Sequence, residues 1–365
     1  MRWDIAAPAT AFLVYRSYSH GSLTPLGNLT AALTAIIHAL HPSPLPFTLL
    51  VFFFLIGTSA TKIKKEIKAK LTLPSTGSHS RTTSSAIGDV FSGGWNKSSD
   101  YHEQKQRTNS NPVKPNNSVA GGQEPRSAIQ VLANSGCVSL LCLLQVWLYG
   151  VSDQSATSVP SPAPCFGSWP ARDLILVGII ANYASVTADT LSSELGILSS
   201  SKPRLILNPT KEVPPGTNGG VTGAGLVAGL AGALAIGLVS VLIMPKPCGG
   251  NLEDIAGLVL AVGAWGALGS VLDSIMGALF QASVIDKRSG KVVEAPNGGR
   301  VKYIVAKEKD DSSGKSNPSR MLGTGRDILD NNQVNLLMAS IMTVGGMITA
   351  SQALGLPLSS LITGK

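Results

Sequence analysis

A chain of 365 residues has room for two soluble domains, yet only 14% of it is charged while 44% is hydrophobic and the mean hydropathy is +0.24. A globular chain carries about 25% charged residues, so a water-soluble fold is excluded; with aromatics at 5% and 39 glycines the apolar content is small and aliphatic, which suits close helix packing in lipid. Four cysteines without CxxC spacing exclude a zinc ribbon and a disulfide scaffold, and the expected fold is all-α, a polytopic transmembrane bundle of about seven spans, six to eight, with disordered polar loops.

In chain order, residues 1–61 hold N-terminal membrane helices, with apolar runs at 22–41 and 45–61. A further stretch, 3–18, is interrupted by Asp4 and Pro8 and reads as a short span or a half-inserted helix, not as a cleaved leader. Residues 62–127 form a basic and then disordered loop. Lys62, Lys64, Lys65, Lys68 and Lys70 extend the preceding helix as a solvated, lipid-facing anchor. From 71 to 127 the chain is dense in Ser, Thr, Asn, Gly and Pro and has no periodicity that could bury a core. The core membrane helices occupy 128–283, with runs at 128–150, 172–191, 219–244 and 255–280 and a polar loop at 192–218. A polar insert at 284–322 contains a predicted hairpin from Lys291 to Val305 that turns at Asn297, Gly298 and Gly299. Residues 323–365 carry a polar motif and a last run at 333–357.

The charges alternate across these spans. Eleven Lys/Arg lie in 62–127, three in 192–218 and ten in 281–333, whereas 151–171 has none and 245–254 has only Lys246. The positive-inside rule places the three basic loops in the cytosol. Topology and anionic lipid headgroups therefore account for the net charge of +8, and no nucleic-acid partner is needed. The lipid bilayer is the first expected partner, the location is multi-pass membrane, and the endoplasmic reticulum is the default organelle because no other address is visible.

Ionisable residues inside membrane helices are costly and are functional candidates by default. Asp189 and Asp273 are the two, each on a polar stripe of its helix, with Glu194 just beyond Asp189. The loop that follows carries Arg204 and Lys211, then two prolines, then Gly216, Thr217, Asn218, Gly219 and Gly220 at the mouth of the next helix. Unobstructed amides at a helix N-terminus favour an anion. Asn331, Asn332 and Asn335 open the last helix, and Asn134 opens the third run at the same depth. All of these fall on the cytosolic side, so the expectation is one anion-receptive mouth.

Plainer readings stand beside these. The glycine stripes suit helix packing as well as ligand contact, and an intramembrane aspartate can cap a helix or pair with a buried arginine. The asparagines equally suit the start of their helix, where Asp330 is the expected N-cap. All five histidines lie at or before position 102, which argues against a histidine-based zinc centre or general base. Cys165 and Cys248 fall in the two loops on the opposite side, where a disulfide between them is open. The sequons at Asn96 and Asn116 are expected to be unused.

The stretches QVLAN (130–134), ADTLSSELG (188–196), PRLI (203–206), VPPGTNGGVT (213–222), GALGSVLDSIMGALFQ (266–281) and LDNNQVN (329–335) resemble the transmembrane protein 19 family, also called domain of unknown function 92. The usual glycine before the aspartate is Ala188 here, and the two polar inserts are long, so they are expected to be peripheral. Members of that family include phytyl-phosphate kinases, similar to CTP-using polyprenol kinases. The resemblance implies an integral membrane, CTP-dependent prenyl/phytyl phosphate kinase, with nucleotide triphosphate and prenyl phosphate as partners and Mg²⁺ as cofactor. It implies that Asp189 and Asp273 hold the metal, with Glu194 as a third carboxylate. Lys211 and Arg204 would neutralise phosphates, the amides of Gly216 to Gly220 would cradle them, and Asn331, Asn332, Asn335 and Asn134 would orient them. The prenyl tail would lie between the glycine-faced helices that contain Gly229 and Gly266. The alternatives are a transporter or lipid-moving protein without kinase activity, and a structural membrane protein.

Overall fold

Helix boundaries follow local capping chemistry. The computed structural model describes residues 3–75, 125–150, 166, 170–244, 251–303 and 320–363. The first helix, α1 (Trp3–Ser19), runs through Pro8. Next, α2 (Pro25–Leu40) starts where the Thr24 hydroxyl accepts the Gly27 amide at 3.0 Å. A short turn leads to α3 (Leu45–Lys62). Lys64, at φ 48°, then reverses the chain into α4 (Lys65–Leu71) and the short strand β1 (Leu73–Pro74). Ser127 and Gln130 form a capping box for α5 (Ala128–Tyr149). After α6 (Pro170–Gly196) come β2 (Arg204–Leu205), β3 (Asn208–Glu212) and β4 (Gly220–Val221). Thr222 caps α7 (Gly223–Ile243), and Asn251 with Asp254 caps α8 (Leu252–Phe280). Strands β5 (Ser283–Asp286), β6 (Val292–Glu294) and β7 (Arg320–Thr324) lead to α9 (Asn331–Leu354), which has Asp330 as its N-cap, as expected. A last turn, α10 (Ser360–Thr363), follows.

Among the described residues, α3 and α5 to α9 are long and apolar enough to cross a membrane. At 16 residues α2 is shorter, about 24 Å by helical rise. The chain is thus a polytopic helical membrane protein. Of its hydropathic spans, α6 is 83% buried while the others are 28–39% buried, so α6 is the axis and its neighbours turn one side to lipid. It packs on α7, α8, α9, α3 and α5, and Ile175, Ile179, Tyr183 and Val186 are fully enclosed.

Buried polar pairs register the surrounding helices against this axis. Asn182 donates from Nδ2 to the Asn134 carbonyl at 2.9 Å and accepts the Thr343 hydroxyl at 3.2 Å, which joins α5, α6 and α9. The Tyr183 hydroxyl meets His38 Nε2 at 2.7 Å, tying α6 to α2, and the Trp265 indole donates to the Met342 carbonyl, tying α8 to α9. In lipid these pairs and close backbone contact replace a hydrophobic driving force.

Both sheets cap the end at which α3, α6 and α8 finish. One has the order β1-β6-β5-β7 and the other β3-β2-β4. Two expectations are corrected here. The hairpin pairs β5 with β6 and turns at residues 287–291, where Gly290 has φ +68° and Asp286 accepts the Ser289 amide. Asn297 and Gly298 instead form a 3-10 turn with Pro296, whose ring brings no N–H to a ladder. The insert is not merely peripheral, because its strand β6 receives β1 in parallel, Leu73 opposite Val293. Residues 76–124, with both sequons, lie outside the described residues, as do Cys165 and Cys248; Cys137 and Cys142 are free.

Gly266 shows how tightly α8 meets the axis, since a Cβ there would stand 2.7 Å from the Ala184 carbonyl oxygen. Gly257 on the same helix faces open space. Gly266→Ala is expected to cost about 1–3 kcal/mol through overpacking, read as a lowered Tm of the detergent-purified protein. Gly257→Ala should leave the Tm unchanged or slightly raised.

Candidate functional site

At the end bearing the basic loops, Asp189 of α6 and Asp273 of α8 meet through a side-chain hydrogen bond. Asn335 of α9 joins them: with its amide turned so that the nitrogen faces these acceptors, it donates to Asp273 Oδ1 at 3.2 Å and to the Asn331 carbonyl at 3.0 Å. Three helices therefore contribute one polar group each to a single point. Two facing carboxyl groups inside a bundle must share a proton or a cation, because like charges at hydrogen-bond distance cannot both persist.

Glu194 does not join this pair. It lies five residues along α6 from Asp189, which turns it well away from that face. Its Oε2 pairs with Lys68 Nζ at 2.8 Å, the two side chains being 17% and 9% exposed. Lys68 also donates to the Ala60 carbonyl at 2.8 Å, so it is no lipid-facing anchor. The reversal at Lys64 folds α4 back and turns Lys68 inward. Among the described residues no three His, Cys, Asp or Glu cluster as a metal site.

The remaining expected residues separate. Arg204 and Lys211 stand exposed on the β2–β3 hairpin, where Arg204 donates to the Pro209 carbonyl and lies 3.9 Å from Glu212. Much of the Gly216–Gly220 loop is spent internally. The Thr217 amide donates to the Pro214 carbonyl, the Asn218 amide to Ser283 Oγ and the Gly220 amide to the Thr217 carbonyl. Gly219, at φ +74°, lets the loop lie on α8, where a Cβ would meet Ala278 and come 2.7 Å from the Ser274 carbonyl. This loop is pinned one turn beyond Asp273, and its glycines serve close approach. Asn332 is buried and donates to the Asn297 carbonyl at 2.9 Å, while Asn331 is exposed. Asn134 donates to the Gln130 carbonyl of its own helix.

Two residues escaped the sequence reading. Lys68 was hidden in a lysine run, and Arg126 among the basic residues of its loop. Arg126 is tied by its backbone to the α1–α2 connection, accepting the Thr24 amide and donating to the Ser22 carbonyl, both at 3.0 Å. Its guanidinium lies beside Gly57, as does Thr190, the neighbour of Asp189. Burial pulls its pKa down, and the Glu194 charge opposes that shift. Its place directly before the capping Ser127 and the QVLAN stretch was the one signal available.

This arrangement defines a class, a helical integral membrane protein with polar groups from several spans gathered at one end. The family described as Integral membrane protein DUF92 matches residues 8–343, and the chain belongs to it. It is 38% identical over 229 residues to Protein PGR of Arabidopsis thaliana, covering 61% of this chain and 69% of that one. It is also 43% identical over 131 residues to an uncharacterised membrane protein of Methanocaldococcus jannaschii, 36% of this chain and 51% of that protein. No solved structure matches.

Glu194→Leu strands the buried Lys68 ammonium and removes the charge that acts on Arg126. It should cost about 3–5 kcal/mol, and Lys68→Met less, because Arg126 still acts on Glu194, measured by thermal unfolding. Glu294 yields a pH prediction. Burial pushes its pKa above the ordinary 4.5, and the Thr72 hydrogen bond opposes the shift. A raised folded-state pKa means that stability is fully present below 4.5 and is lost as pH rises through the folded value. The Tm of Glu294→Gln should therefore match the parent at acidic pH and, above neutrality, exceed it only slightly, because the residue is exposed and solvent screens its charge; a constant difference across the range would contradict this.

Proposed function

We propose that this protein is a membrane-embedded kinase that transfers the γ-phosphoryl group of a nucleoside triphosphate, CTP by preference, to a prenyl- or phytyl-type monophosphate at the cytosolic face. The observation that carries the reading is the Asp189–Asp273 pair with Asn335 beside it. Two carboxylates and an amide suit Mg²⁺, which is commonly held by one or two carboxylates and takes its other ligands from water and substrate phosphates. Held there by Asp189 and Asp273, Mg²⁺ would supply positive charge against that of the nucleotide phosphates. The chain's own residues would hold and orient. Asp189 and Asp273 would be the metal ligands, Asn335 would fix the rotamer of Asp273, and the loop from Gly216 to Gly220 would border the nucleotide, with Lys211 and Arg204 on the hairpin beyond it.

In the transfer itself, a phosphate oxygen of the lipid attacks the γ-phosphorus, the bond to the β-bridging oxygen breaks, and the nucleoside diphosphate leaves. An acceptor that is already a dianion has no proton to lose, so no general base is required. That agrees with a site without histidine, the five histidines all lying at or before position 102.

The test is purified protein with CTP, Mg²⁺ and geranylgeranyl phosphate, with lipid diphosphate as the readout. Asp189→Asn and Asp273→Asn should each lower kcat about a thousandfold with Tm retained. Full activity in both variants would overturn the site assignment. No turnover with any nucleotide, or with either prenol or prenyl phosphate, would overturn the kinase reading.

A further inference from the structure

The glycine-faced helices α7 and α8 leave no room for a hydrocarbon chain between them, because Gly263 abuts Leu234 and Gly237 faces the Val259 backbone. Space exists elsewhere. A cavity between α1, α2, α3 and α5 is walled by Val14, Ala31, Leu50 and Phe54 and ends at Arg126 and Gln130. A second cavity, lined by Ala7, Ala11 and Ile36, shares Thr10, Val14 and Asn28 with the first. Both are lined mainly by apolar residues of α1 and α2, and Arg126 stands in the wall of the first.

The first cavity has the marks of a ligand site. Ser17 Oγ and Asn28 Oδ1 both line it, are buried at 2% and 8% residue exposure, and find no hydrogen-bond partner among the described residues. Buried polar atoms are rarely left unsatisfied. A permanently charged guanidinium, a hydroxyl and an amide stand there in largely apolar surroundings. Arg126 also lies beside Gly57 with Thr190, next to Asp189.

We infer that the cavity along α1 and α2 binds the tail of an isoprenoid monophosphate whose phosphate is met by the Arg126 guanidinium and the Ser17 hydroxyl. This deepens the kinase reading and rests on it for the identity of the ligand. A guanidinium in the wall of a cavity otherwise lined mainly by apolar side chains selects an anionic head on a hydrocarbon chain.

The experiment uses the full purified chain in nanodiscs and a geranylgeranyl phosphate analogue with a diazirine on its last isoprene unit, with neither nucleotide nor Mg²⁺. After irradiation, labelled peptides are located by mass spectrometry. Label should fall on residues 3–40 and be displaced by unlabelled geranylgeranyl phosphate, but not by inorganic phosphate or phosphatidic acid. Val14→Trp should reduce labelling about tenfold by filling the cavity, while Val14→Leu retains it. Arg126→Gln should weaken competition by the prenyl phosphate about tenfold and leave competition by the corresponding alcohol unchanged. Label on α7 or α8, equal labelling in Val14→Trp, or equal competition by phosphatidic acid would overturn the proposal. Because labelling needs no catalysis, it survives failure of the kinase reading, and turnover without label on residues 3–40 would defeat only the cavity assignment.

Discussion

Two carboxyl groups on neighbouring membrane helices hold their place only if something shares or balances their charge, and much of this protein is arranged around that requirement. Asp189 is carried by α6, the helix most enclosed by others, where water cannot screen it. Asp273 arrives on α8, which approaches α6 closely because Gly266 offers no side chain against Ala184. Asn335 comes from α9, whose start is set by the Asp330–Gln333 capping box. The carboxylates therefore face each other because three helices are individually fixed. The polar pairs of Asn182 and Tyr183 do the fixing deeper in the bundle.

The same end carries a second layer of charge with a different task. Lys68 and Glu194 neutralise each other in a nearly dry setting, where an unpaired partner would cost several times more than an exposed one. Arg126 stands next to them with its backbone bonded to the α1–α2 connection. The two sheets cover this layer, and Asn218 joins them by donating to Ser283 Oγ and the Ala282 carbonyl. Backbone that leaves a helix at the membrane surface must satisfy its own polar groups, and the strands do so.

Much of this was legible beforehand. Spans showed as apolar runs, and Asp330 showed as the cap of the last helix. Asp189 and Asp273 stood out because charge within such runs is rare. Glu194 was misread as a third ligand, since nearness in sequence to Asp189 hides a rotation of more than a quarter turn on the helix. Lys68 was misread because a lysine run looks solvated until a left-handed residue, Lys64, turns the chain back on itself. The glycines of the Gly216 loop looked like an open anion cradle, whereas partners that claim the Thr217, Asn218 and Gly220 amides are invisible along the chain.

The scarcity of charge by itself determined that this is a polytopic membrane protein, where its spans lie, and that its basic residues gather on one side, because hydrocarbon tolerates about 20 apolar residues per crossing and very few charges. Tertiary structure alone decided which of those few charges meet. Asp189 pairs with Asp273 and not with Glu194, Lys68 turns inward, and Arg126 comes to line a largely apolar cavity. Helix rotation and the fold-back of α4 settle these choices, and neither is encoded in the periodicity of a single segment.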